Sequence, residues 1–194
     1  MVKFRIGSIP VNEDFDPLAG NWTPCKEPKP WVSTWLIAVP LSLLLAVSFA
    51  VMLFKLTPID LQGLTLYKLL LLYAGLVITH ETIHAMMQPD RGTSARTTLG
   101  FWPSHLVFYA HYDGERSRAN FLFGLVSPFL LLSVVPMFLA IACQTSAWWV
   151  GALILGNAVA SGVDLFGFFA VLLGTPKNSQ VINNGWYTYW RLRS

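Results

Sequence analysis

Long apolar runs alternate with short polar connections along this chain. Largely hydrophobic stretches cover residues 33–54, 66–87, 120–142 and 148–173. Each approaches or exceeds the roughly 20 residues a helix needs to cross the hydrocarbon of a bilayer. The pattern predicts an all-α polytopic membrane protein of about four transmembrane helices, with a domain over residues 31–174. The connection at 57–65 carries Pro58 and Gly63 and is short, and the one near 144–146 is shorter, so spans three and four should form an antiparallel hairpin. The first run follows thirty polar, proline-rich residues and outlasts the apolar core of a signal peptide, which predicts a retained span. Residues 1–30, with Pro10, Pro17, Pro24, Pro28 and Pro30, are expected to be an extended tail, and residues 175–194 a second tail.

One polar stretch has its own pattern. Residues 96–112, between spans two and three, are rich in β-branched and aromatic side chains, interrupted by Pro103-Ser104 and closed by Asp113-Gly114. That is a strand signature with turn punctuation. The alternative is a loop folded against the membrane, and both stay open at this point.

Composition strengthens the membrane reading. The chain of 194 residues is 54% hydrophobic and 12% charged, where soluble domains carry roughly a quarter of their residues as charges. The net charge of +3 is not gathered into a basic stripe with stacking aromatics, so nucleic acid is not an expected partner. Of the 13 Lys and Arg residues, only Lys55 and Lys68 lie outside the two tails and the central loop. By the positive-inside rule the chain is expected in the cell membrane with both termini and the 89–118 loop cytoplasmic. Cys25 and Cys143 then fall on opposite sides, which argues against a disulfide.

Span two contains Thr79-His80-Glu81-Thr82-Ile83-His84. Helical positions four apart lie about 40° apart on the cylinder, so both imidazoles reach one ion, while Glu81 stands beside them, free to take a proton from a metal-activated water. Three ionisable groups inside one apolar span cost roughly 2.5–3.5 kcal/mol each at its centre on insertion scales, which makes a function the default explanation. A catalytic Zn2+ site commonly has three protein ligands plus water, so a third ligand must come from elsewhere. Span four offers Asn157, Ser161 and Asp164 on one face, and Asp164 is the only acidic residue in any other span. Counted from the cytoplasmic ends of their spans, His80 and Asp164 lie at similar depths, roughly 10–14 Å. No Lys or Arg lies at that depth to pair with Asp164, so ligation is favoured over an ion pair. Gly156, Ala160, Gly162 and Gly167 would let helices approach closely, and Pro128 and Pro136 would open span three locally.

His80-Glu81-x-x-His84, the later segment Asn157-Ala-Val-Ala-Ser-Gly-Val-Asp164 and the strand-like insert between them resemble intramembrane metalloproteases of the site-two type. In overall size the chain looks more like the small bacterial membrane proteins of the zincin peptidase class. It departs from the site-two pattern in Val163-Asp164-Leu165, where that group has an aspartate followed by glycine, with prolines upstream. The resemblance implies a zinc-dependent membrane-embedded endopeptidase acting on membrane or membrane-proximal proteins or peptides, with His80, His84 and Asp164 on the ion and Glu81 as general base. Asn157 would hydrogen-bond the substrate backbone or oxyanion, or else make an interhelical bond. An edge of the 96–112 strands would accept an unwound substrate by strand addition. His105 and His111 are expected to be surface histidines on one strand face. The alternative is a non-proteolytic membrane protein that binds a metal or moves ions or protons through the same cluster. Oligomeric state, cleavage site and pathway are not encoded in any recognisable motif.

Overall fold

Residues 1–27 and 31–193 are described in the computed structural model, with the side chains of the first helix described from Thr34 onward. The first two apolar runs form unbroken helices, α1 (Trp31–Leu56) and α2 (Leu66–Met86). The third divides into α3 (Arg118–Phe129), one π-helical turn (Leu130–Val134) and α4 (Val135–Ala142). This wide turn lies between Pro128 and Pro136, where missing N–H donors weaken the helical ladder. The fourth run is broken at Ser161 into α5 (Trp148–Ala160) and α6 (Gly162–Gly174), bent by 47°. Among the described residues three helical stretches are long and apolar enough to cross a membrane, or four if the bent pair is one span.

The all-α expectation is overturned by two β-sheets, and the fold is mixed α/β. Strands β1 (Lys3–Ile6), β3 (Thr97–Trp102) and β4 (Val107–Tyr112) form one sheet in the order β1-β3-β4. Strands β2 (Thr23–Pro24), β5 (Arg116–Ser117), β6 (Ser179–Asn184) and β7 (Tyr187–Leu192) form the other, in the order β2-β7-β6-β5. The strand signature of the central loop became β3 and β4, antiparallel from Thr97↔Tyr112 to Trp102↔Val107. The remaining strands carry no local signal because they are short or lie in the polar ends and their partners are remote. Lys3 pairs with Thr98, and Arg116 with Val181. These pairings draw both ends of the chain and the central loop to the same side of the helices.

Two apolar clusters hold the layers together. Phe49 and Leu53 of α1 pack with Met137 and Ala140 of α4 and Ile154 and Ala158 of α5. Phe121 and Leu122 of α3, Val171 of α6, Val181 of β6 and Cys25 join the helices to the second sheet. Burial pushes the Cys25 thiol up to about 12, so it behaves as a small hydrophobe. Outer faces of α1 and α2 leave Leu36, Leu44, Leu70, Leu71 and Ile78 exposed, as a lipid-facing surface would. In lipid, helix association depends on close packing because apolar side chains gain little by leaving the tails. Gly162 provides that approach: a Cβ there would stand 1.8 Å from Ser42 Oγ and 2.7 Å from the Ala38 carbonyl of α1. Ser42 Oγ also donates to the Val159 carbonyl beside the helix break at 2.9 Å.

Candidate metal centre and active site

One turn of α2 brings its two histidines together, with Nε2 of His80 and Nε2 of His84 3.1 Å apart. The break at Ser161 starts α6 two residues before Asp164, placing the carboxylate in a first helical turn, where free N–H groups favour negative charge. Asp164 Oδ2 lies 3.1 Å from His80 Nε2 and 3.4 Å from His84 Nε2. The spans expected to meet at this depth do meet.

Hydrogen-bond partners behind the rings decide what those atoms can do. Asn157 Nδ2 donates to the Pro128 carbonyl at 3.0 Å and to Ser133 Oγ at 2.9 Å, and Ser133 Oγ donates to the Ile154 carbonyl at 3.0 Å. Because a carbonyl only accepts, the amide nitrogen must face Pro128, and Asn157 Oδ1 must face His80. That oxygen accepts from His80 Nδ1 at 2.8 Å, and the Gly124 carbonyl accepts from His84 Nδ1 at 2.9 Å. Both Nδ1 atoms therefore carry protons, and the Nε2 atom of each neutral ring presents a lone pair. With both rings neutral, two lone pairs and a carboxylate oxygen converge, and a cation among them would relieve their repulsion.

The donor set fits zinc. Three candidate ligand atoms from His80, His84 and Asp164 lie within 4.8 Å of one another. Donors about 2.0–2.1 Å from a tetrahedral ion stand roughly 3.3 Å apart, close to the three separations found. Carbonyl and amide oxygens behind both imidazoles are the outer partners that fix ligand orientation in zinc sites.

Glu81 lines the same cavity of about 390 Å³ as His80, His84 and Asp164. Its walls come from α1, α2, α3, α5, α6, β4, β5 and the β6–β7 hairpin. Gln88, just past α2, docks the first sheet there: its Nε2 donates to the Ala110 carbonyl at 3.1 Å, and its Oε1 accepts from Thr97 Oγ1. At the same helix end, Asn120 Nδ2 of α3 donates to the Met87 carbonyl at 2.9 Å.

Other expected positions fall out differently. Asn157 is fully buried behind His80 with its amide engaged, away from the cavity wall. Its place is that of the interhelical alternative, with an orienting role added. Ser161 is buried at the helix break, its Oγ without a hydrogen-bond partner among the described residues. His105 lies in the 3₁₀ turn Pro103–His105, stacked on Trp102 at 3.8 Å between ring centroids, and not on a strand face. His111 is not a surface residue: it is 8% exposed and lines the cavity. Burial, reinforced by the Arg116 charge, pushes its pKa down to about 4. The sequence reading missed Ser133, although the cost of a polar group in an apolar span could have marked it. It also missed the carbonyl of Gly124, for which no sequence signal exists.

No curated protein and no solved structure matches the chain. A family model does match, over residues 73–180, more than half of the chain and the stretch that holds His80, Glu81, His84, Asn157 and Asp164. With a two-histidine, one-carboxylate centre built inside the matched region, the chain belongs to the family described as Putative zincin peptidase.

Proposed function

We propose that the protein is a zinc-dependent membrane-embedded endopeptidase whose substrates are membrane or membrane-proximal polypeptides. The observation that carries this reading is the forced tautomer of both histidines: with Nδ1 protonated by geometry, His80 and His84 offer Nε2 lone pairs beside Asp164 Oδ2. Those three residues hold the ion, and Asn157 and the Gly124 carbonyl keep the rings aimed. A bound zinc supplies Lewis acidity, polarising a carbonyl and acidifying the attacking water. Glu81 accepts the proton from that water and later delivers it to the leaving amine. Four apolar stretches, the last of them bent, support placement in the bilayer, and the Lys and Arg distribution supports a cytoplasmic position for the sheets and both termini.

A transmembrane helix hides its carbonyls within its own hydrogen bonds, so a substrate must unwind before attack. Strand β4 stands at the edge of its sheet, and its residues 107–111 line the cavity. An extended segment added along that edge is delivered to the centre.

The test combines metal analysis of purified protein with hydrolysis of membrane and peptide substrates. Glu81→Gln preserves shape and loses the base, so it should retain stoichiometric zinc while the rate falls by about 10²–10⁴. Full activity in Glu81→Gln would remove Glu81 as the base. Zinc binding without hydrolysis in the wild type would favour a metal-binding or ion-moving membrane protein.

A further inference from the structure

Glu115 and Arg116 are neighbours in the chain with opposite surroundings. Glu115 is exposed, and its carboxylate accepts from Arg191 Nη2 at 2.7 and 2.9 Å. Arg116, at the start of β5, lines the cavity that contains His80, Glu81, His84 and Asp164. A guanidinium has five N–H donors, yet among the described residues the acceptor for this one is a single atom, Asn183 Oδ1, 3.0 Å from Nη2. Nε is buried and has no hydrogen-bond partner among the described residues. Aromatic rings flank the group, with the Phe121 centroid 4.4 Å and the Tyr112 centroid 5.8 Å from Cζ. Stacking fixes the plane of a guanidinium while leaving its in-plane donors to be satisfied.

Among the described residues no carboxylate lies within ion-pairing distance of Arg116. Glu115 is taken by Arg191, Asp164 faces the two histidines, and Glu27 Oε2, elsewhere in the cavity wall, accepts from the Thr188 N–H at 3.0 Å. Burial pushes the Arg116 pKa down to about 10, which still leaves it charged at neutral pH. A half-buried cation with no carboxylate partner, beside a largely apolar cavity, attracts an anion, and its fork matches a carboxylate.

Its position relates it to the proposed reaction. Nη1 stands 3.9 Å from where a Cβ on Gly124 would lie, and the Gly124 carbonyl accepts from His84 Nδ1 at 2.9 Å. The guanidinium is thus within about three residues of extended peptide from the ligand cluster. Tyr112, which contacts it, is the last residue of β4, so a peptide laid along that edge reaches it.

We propose that Arg116 is a substrate-binding residue that receives a peptide carboxylate, either a free C-terminus or an Asp or Glu side chain, close to the bond cleaved. The assignment rests on the peptidase reading above. Its test measures binding directly, using zinc-loaded Glu81→Gln protein in lipid nanodiscs and fluorescence anisotropy of labelled apolar decapeptides. One arm compares a free with an amidated C-terminus, and the other compares Asp with Asn moved position by position through the amidated peptide. At least one carboxylate form should bind about tenfold tighter or more than its neutral partner, and the arm that responds identifies the source. Adding Arg116→Gln should abolish that preference and leave the neutral peptides unchanged, at equal zinc content and equal elution volume. Arg116→Lys keeps the charge without the fork and should lower the preference severalfold, which supplies the test if the Gln variant fails to fold. No preference in either arm, or a preference untouched by both substitutions, overturns the proposal. Failure of the peptidase reading shows separately, as carboxylate-selective binding by a zinc-loaded wild type that cleaves none of the set.

Discussion

His80 and His84 share a cavity with His111, yet the fold prepares them for opposite tasks. Behind each α2 imidazole stands an oxygen that accepts its Nδ1 proton, and in front stands Asp164. His111 sits in β4 near the Arg116 charge, and burial holds it neutral. Being a buried histidine beside this cavity does not make a ligand. The role is set by which groups occupy the two ends of the ring, and those groups come from other helices and strands.

The comparison can be broken at three places. Asp164→Ala should have the largest effect, since it removes the anionic donor and leaves two imidazoles. Zinc affinity should fall by more than the 10–100-fold that loss of an outer partner usually produces, as measured by chelator competition on folded protein. Ser161→Ala is the control, because its buried Oγ has no partner to lose, and it should keep its zinc. Tight stoichiometric zinc in well-folded Asp164→Ala would end its assignment as a ligand.

Asn157→Ala should come next. It removes the acceptor for His80 Nδ1 and releases both the Pro128 carbonyl and Ser133, so the ring is free to rotate and the tautomer is no longer fixed. Zinc affinity is expected to drop by about 10–100-fold. An unchanged affinity would show that α2 alone positions the ring.

The smallest effect on the metal should come from His111→Gln, with zinc content unchanged. Its consequence belongs to acid stability. The ordinary histidine value is 6.5 and the folded value about 4, so between them the unfolded chain binds the extra proton. Stability therefore falls as the pH drops through that window, by as much as about 3 kcal/mol. His111→Gln should flatten this part of a thermal-unfolding profile recorded against pH. Zinc lost from folded His111→Gln would instead place the residue with the α2 pair.

The sequence by itself determined the features that depend on near neighbours. Apolar runs long enough for lipid marked the helices, His80 and His84 were legible because four residues bring a helix back to nearly the same face, and the β-branched stretch after residue 96 announced β3 and β4. Asp164 was legible for a related reason: an acid alone in an apolar segment needs a partner, and depth counted along two helices narrowed the choice. Tertiary structure alone decided the rest. Strands as short as Lys3–Ile6 and Arg116–Ser117 become sheet only through partners far away in sequence, which is why an all-α expectation missed them. The close approach of Gly162 to α1 beside the break at Ser161 is a contact between distant segments, and the duty of Asn157 depends on the Pro128 carbonyl, just before the wide turn Leu130–Val134, lying within its reach. Hydrogen bonds and close contacts of this kind act over a few ångströms in space, whatever their separation along the chain, so no local pattern of residues records them.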